Sequence, residues 1–311
     1  MQNPSQVREG ERISPPEEQV RRRIERLAFQ GNRASKPPNP EAVHDLRVAI
    51  RRADQALVTF KDYLPRKVAK RIRKQLKVVL SSAGTLRDLD IAIDILSKNG
   101  QPGAAEVRRA IRVRRKAAER SLLTRLKRLS LRTRVSRWCD DLRLDAQRAD
   151  FAADLRTLAT STLPRLAQRF FDAGQAASGQ HSGEKLHEFR IRAKKFRYTL
   201  ELFLPLYGPK AEEWTREIKS VQTILGAMND YRSVLAMAAD FGCGRKLKAS
   251  LKRSERRKIR QFRKAWTDHF SHTAAQEWMR MLRAPRSEHR VARKPIATAT
   301  ESAQHAVAAG A

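Results

Sequence analysis

Two stretches of this chain repeat one another 143 residues apart. Val43-His44-Asp45-Leu46-Arg47-Val48 matches Leu186-His187-Glu188-Phe189-Arg190-Ile191 in kind at all six positions. The match continues with Arg51-Arg52 against Lys194-Lys195, Leu57 against Leu200 and Phe60 against Phe203. Further on, Gly84-Thr85-Leu86-Arg87-Asp88 pairs with Gly226-Ala227-Met228-Asn229-Asp230 at an offset of 142, one residue having been lost. Each copy then carries a long basic segment, Arg108 to Arg128 and Arg245 to Lys264. Each is preceded by another helical stretch, Glu17 to Phe29 and Asp150 to Asp172. Two copies are too few for a solenoid. The repeat therefore predicts two four-helix bundles packed face to face about a pseudo-twofold axis.

Periodicity supplies the fold class. Apolar residues recur at three- and four-residue spacing, and no run alternates with period two. Breakers are few and mark the expected loops: Gly31 to Pro40, Asn99 to Gly103, Gly174 to Gly183, Pro205 to Pro209 and Gly242 to Gly244. The segment around Gly84 to Asp90 is expected to form a turn after the second helix. Pro164 is expected to start or kink a helix. The reading is all-α, with a first repeat over 16–145 and a second over 146–284. Flanking tails, 1–15 and 285–311, lose the apolar period and are expected to be flexible and disordered.

The repeated helix can be resolved into faces. Its apolar seam is Val43, Leu46, Ile50, Ala53, Leu57 and Phe60 in one copy. In the other it is Leu186, Phe189, Ala193, Phe196, Leu200 and Phe203. Both are core-facing stripes. One residue after the early seam positions, about 100° round the helix, stand His44, Arg47 and Arg51, and His187, Arg190 and Lys194. Arg52 and Lys195 lie a further step round, and Arg197 extends the second copy. On the next helix Lys77 follows seam residue Leu76 and Lys219 follows Ile218. Arg66, Lys70, Arg73 and Lys77 form a ladder there. A lone surface Arg or Lys is usually a solvated face whose stem covers apolar surface. Here the same cations recur in two diverged copies, and a two-fold assembly would bring them together. Uncompensated cations converging on one axis repel unless an anion lies between them. Arg forks and a Lys point charge suit phosphate. A histidine beside such an anion has its charged form favoured.

Charge sets the partner class. The 311 residues hold 66 Lys and Arg against 33 Asp and Glu, a net +33. An enzyme without a polyanionic partner has no need of that excess, and self-repulsion disfavours the compact state. A hydrophobic content of 41% argues against full disorder. Two cysteines make no disulfide framework, so a reducing, cytoplasmic compartment is expected. No apolar run approaches the length of a membrane span, and the first thirty residues lack the apolar core of a signal peptide.

The two repeated motifs, Val43 to Arg52 and Leu186 to Tyr198, together with Leu86-Arg87-Asp88-Leu89-Asp90, resemble the paired signatures of the CHAD domain, the conserved histidine α-helical domain. The resemblance covers roughly residues 16–284. It implies two pseudo-symmetric bundles of long helices around a basic central groove or pore. It also implies binding of inorganic polyphosphate and association with polyphosphate granules in bacteria. Carried over by motif, the binding residues are His44, Arg47, Arg51, Arg52, His187, Arg190, Lys194, Lys195 and Arg197. Helix geometry adds Lys70, Arg73, Lys77 and Lys219. Arg87 is left out because its counterpart is Asn229. Such domains also occur fused to a triphosphate-tunnel domain. No such segment stands here, so the resemblance brings no hydrolase activity.

Other chemistry finds little support. His44-Asp45 and His187-Glu188 are sequence neighbours that diverge by about 100° on a helix, and His269-Phe270-Ser271-His272 has no acidic reinforcement, so no metal or other cofactor is expected. Asp88, Asp90 and Asp230 read as helix caps or salt-bridge partners. No phosphate-binding Gly-rich loop or nucleophile elbow is present, and no catalytic residue is assigned. The four tryptophans read as bundle packing, not as base-stacking platforms. Polyphosphate is the expected partner. A general RNA- or DNA-binding protein is the alternative, and a metal-assisted phosphohydrolase a third.

Overall fold

The computed structural model describes residues 14–36, 39–142, 151–179 and 183–285. Both terminal tails lie almost wholly outside the described residues, as do Gln180 to Ser182 within the Gly174–Gly183 loop. The first half runs α1 (Pro16–Ser35), α2 (Pro40–Thr59), α3 (Arg66–Ser97), α4 (Ala104–Leu129) and α5 (Leu131–Asp141), with a 3-10 turn over Lys61–Tyr63. The second runs α6 (Phe151–Gly179), α7 (Gly183–Leu200), the single turn α8 (Leu204–Tyr207), α9 (Pro209–Asp240), α10 (Arg245–His269) and α11 (His272–Arg283). All regular structure among the described residues is helical.

The single turn α8 apart, each half thus has a fifth helix beyond the four expected, because α5 and α11 break from the basic helices without a Gly or Pro. At α4–α5 the break is made by Ser130, at φ 47° in the left-handed region. At α10–α11 Ser271 caps the new helix, its hydroxyl accepting from the Ala274 amide at 3.2 Å. Both extra helices fold back, α5 onto α1 and α11 onto α6.

Several expected breakers lie inside helices. Gly31 is buried in α1, and a Cβ there would stand 2.4 Å from Leu131 Cδ1. Gly174 lies in α6, where a Cβ would meet the Trp266 ring at 1.9 Å. These glycines permit close approach of a neighbouring helix instead of ending their own. Pro164 lies within α6 and does not start it. The expected turn at Gly84 to Asp90 is the middle of the 32-residue α3, and its counterpart is the middle of α9.

One hydrophobic core runs through both halves, with Phe170 in ring contact with Phe189, Phe196, Trp266, Phe270 and Trp278. A smaller core at one end joins α3 and α4 to α9 and α10, through Leu96, Val107, Ile111, Val234, Leu247 and Leu251. Across the halves, α2 packs on α7 and α3 on α9, equivalent on equivalent. Phe60 meets Phe203, its own repeat counterpart, edge to face at 5.9 Å between centroids. Such a contact is what positions on a two-fold axis between the halves would give.

Candidate functional site

The site lies where α2 and α3 of one half face α7 and α9 of the other. Asn39 starts α2, its side chain accepting from the Ala42 amide at 2.7 Å ahead of Pro40. From there the seam Val43, Leu46, Ile50 and Ala53 is buried, which rolls Arg47 and Arg51 to the edge of the core. In α7 the buried residues Leu186, Phe189, Ala193 and Phe196 do the same for Arg190 and Lys194.

Arg47 is largely enclosed, its side chain 14% exposed. Its Nη1 donates to the Ala83 carbonyl at 3.3 Å and stands 3.9 Å from Asp88 Oδ1. Gly84 makes this reach possible, since a Cβ there would lie 2.9 Å from that nitrogen.

The cations perturb one another across the two halves. Burial, then Arg51, hold the Arg47 guanidinium down to about 10, with Arg87 and Arg190 adding to the effect. Burial, then Arg51, also lower Arg190. Lys194 is lowered furthest, to about 7, by burial and then by Arg190, Arg51 and Arg47. Two carboxylates share the site. Burial, then its counterpart Asp88, push Asp230 up to about 6. Burial also raises Asp88, against the pull of Arg47 and Arg190, although half of its side chain remains accessible. Five cations, Arg47, Arg51, Arg87, Arg190 and Lys194, thus meet two acids whose charged forms are themselves disfavoured. The Nε atoms of Arg87 and Arg190 are buried without a hydrogen-bond partner. Such an arrangement disfavours its own charged state and is relieved by an oxyanion.

The predicted residues separate into groups. Arg47, Arg51, Arg190 and Lys194 come together as the repeat implied. His44 and His187 are exposed at the early turns of their helices. Partial desolvation and then Arg87 hold the His44 imidazole below its ordinary range in the free protein. Lys195 is exposed beside the cluster. Arg52 turns away to Glu201, at 3.0 Å, in a cleft with Arg23 and Gln30. Arg73 pairs with Asp54 at 2.7 Å, while Lys70, Lys77 and Lys219 are exposed on α3 and α9, not among the groups that perturb the cluster.

Arg197 departs from expectation. It is buried, donating from Nε to Gln222 Oε1 at 2.8 Å and from Nη1 to Glu201 Oε1 at 2.6 Å, and it lies over the Tyr198 ring. It is part of the packing although it stands within about 20° of Arg190 on α7, because Gln222 of α9 and Glu201 take up its donors. Arg87, left out on sequence, stands in the cluster, and Asp88 and Asp230 lie mid-helix instead of capping. The signal for them was the unbroken seam Leu76, Val79, Ala83 and Leu86, which carries α3 straight through Gly84. Asp90 does bridge, to Arg115 Nε at 2.6 Å.

Comparison with known proteins fits this geometry. A family model described as the CHAD domain matches residues 18–239. Two uncharacterised proteins of Mycobacterium tuberculosis, from strains CDC 1551 and H37Rv, are each 27% identical over 236 residues, 70% of this chain. The match takes in 44% of their length, so the chain spans less than half of these curated relatives. The crystal structure of the CHAD domain from the plant Ricinus communis superposes with TM-score 0.57 at 19% identity, covering 91% of this chain and 97% of that one. PptA from Streptomyces chartreusis does so with TM-score 0.56 at 19% identity, covering 86% and 100%. At these identities the likeness is one of fold.

Proposed function

The chain belongs to the CHAD domain family, and on that premise we propose that it binds inorganic polyphosphate, without catalysis, at the cluster between its two halves. The observation that carries this reading is the convergence of cations from both copies of the repeat, in which Arg51 lowers Arg47, Arg190 and Lys194, and Arg190 lowers Arg47 and Lys194. A chain of phosphates threading a groove between α2 and α7 would replace that repulsion with charge-assisted hydrogen bonds. The forks of Arg47, Arg51, Arg87 and Arg190 supply bidentate contacts, and Lys194 a point charge. His44, His187 and Lys195 extend the contacts at the rim. Asp88 and Asp230 line the same space, and a polyanion favours their protonated forms. The site draws its cations from both halves, and discrimination against a duplex is expected from a groove too narrow to admit one. A cytoplasmic protein held at polyphosphate granules is the setting that follows from such binding.

The test is a titration of long-chain polyphosphate against the parent and an Arg47→Ala/Arg51→Ala/Arg190→Ala/Lys194→Ala variant at matched ionic strength. The variant is expected to lose at least about a hundredfold in affinity, with a smaller dependence on salt. Unchanged polyphosphate affinity would overturn the reading, as would an equal loss for duplex DNA.

A further inference from the structure

The central cluster accounts for few of the 66 cations. The two helices richest in cations, α4 and α10, carry a second repeated pattern that the site does not use. Their register is fixed by buried pairs 140 residues apart: Val107 with Leu247, Ile111 with Leu251, Leu122 with Phe262 and Leu126 with Trp266. In that register Arg108, Arg112, Lys116 and Arg120 fall on Lys248, Lys252, Arg256 and Arg260. Each row steps by four residues, and Lys264 continues the second one. All but the half-buried Arg108 are exposed, and none of these side chains has a carboxylate partner among the described residues.

We propose that these two outer rows, on α4 and α10, are a docking surface for the sugar-phosphate backbone of duplex nucleic acid, separate from the central site. Four-residue steps rise about 6 Å each, so the α10 row extends for about 24 Å along one exposed helix. A broad polyanion can lie along such a convex surface. A thin polymer would be held on one side alone. An anionic membrane fits less well, since the apolar faces of both helices are buried in the cores and Val113 alone is left as a large exposed apolar side chain on them. The contacts would be to phosphate and carry no sequence preference. The recurrence in both halves gives two such flanks per molecule, so one molecule could bridge two duplex segments.

The experiment uses a fluorescently labelled duplex of about 30 base pairs, long enough to span the α10 row, and labelled long-chain polyphosphate, titrated with the full chain over a salt series. The row variant carries Arg112→Gln, Lys116→Gln, Arg120→Gln, Lys252→Gln, Arg256→Gln and Arg260→Gln. It is expected to bind duplex at least about tenfold more weakly, with the salt slope reduced by about 2 to 3, and to keep its polyphosphate affinity. Retained polyphosphate binding also shows that the variant folds. Exchanging the same six positions between Arg and Lys is expected to leave duplex binding within about threefold of the parent, since a phosphate contact needs the charge. Undiminished duplex binding by the row variant, or equal losses for both polymers, would overturn the proposal. So would tighter binding of the parent to phosphatidylglycerol vesicles than to duplex, lost in the row variant. Failure of polyphosphate binding in the parent would sink the central reading alone and leave the rows standing.

Discussion

The guanidinium of Arg115 bonds the buried carboxylate of Asp90 at 2.6 Å, tying α4 to α3, and the second half makes the same tie with its charges exchanged. There Arg232, the counterpart of Asp90, meets Glu255, the counterpart of Arg115, at 2.7 Å. The bridge has been kept while its polarity was reversed, so the contact and not the charge sign is what the fold requires. Asp90 is 3% exposed, and its removal leaves Arg115 with only Glu119 of these two acids. Asp90→Ala is expected to cost about 2–3 kcal/mol in urea denaturation, since breaking an enclosed pair leaves the remaining charge less well compensated. A cycle with Arg115→Ala should show coupling of about 1–2 kcal/mol. Coupling near zero would mean that the two groups act independently.

How much of this was legible beforehand depended on which signals are periodic. The all-α class and the convergence of Arg47 and Arg51 with Arg190 and Lys194 followed from a seam repeated in both copies. Position on a long helix was harder to read. Gly84 looked like a turn, and only its proximity to the Arg47 guanidinium shows that it is a clearance inside α3. Arg87 was set aside because its counterpart is Asn229, yet a two-fold site filled by one asymmetric polymer need not be symmetric in its ligands. Arg197 shares its face of α7 with Arg190, seven residues earlier, and whether such a residue meets solvent or Gln222 depends on α9, which no local pattern describes. The break at Ser130 carried no Gly or Pro and was invisible for that reason.

Gly84 and Gly226 occupy equivalent positions and should respond differently to alanine. At Gly226 an added Cβ meets nothing within 4 Å, so Gly226→Ala should stabilise the protein by about 0.5–1 kcal/mol through helix propensity, with binding unchanged. At Gly84 the methyl would displace Arg47 Nη1 from the Ala83 carbonyl. The propensity gain and the lost hydrogen bond are similar in size, so stability should stay near the parent's while polyphosphate affinity falls severalfold. Urea denaturation and a binding titration on each variant separate the cases. Equal binding by both would remove the role given to Gly84.

Arg197→Met tests the separation of packing cations from binding cations. The substitution leaves Gln222 Oε1 and Glu201 without their buried donor, and Gln222 Nε2 is already unpartnered. A loss of about 2–4 kcal/mol is expected from thermal or urea unfolding. The log–log salt slope for polyphosphate should not change, because no phosphate contact is removed. A slope reduced by about one would instead make Arg197 a ligand.

Lys194 gives the site a pH dependence whose sign can be worked out from its surroundings. In the folded protein its ammonium is lowered to about 7, below an ordinary 10.5, by burial and by Arg190, Arg51 and Arg47, with Asp230 opposing. Between those values the unfolded chain holds more protons than the folded one, so this group makes stability rise with pH from about 7 to about 10.5. Below pH 7 its penalty is present in full. Lys194→Met removes the penalty, so the variant should be more stable than the parent by a margin greatest below about pH 7. The margin should shrink towards zero as pH approaches about 10.5, read from urea midpoints across the range. Bound polyphosphate favours the charged amine, so the parent should take up a proton on binding near about pH 8 and lose affinity as pH rises above about 7. Asp230, pushed up to about 6, should strengthen binding further as pH falls through that value, since protonation removes an opposing charge. Asp230→Asn should flatten the acidic limb of the affinity profile and Lys194→Met the basic limb. Parallel profiles for the parent and both variants would show that neither group titrates in contact with the polymer.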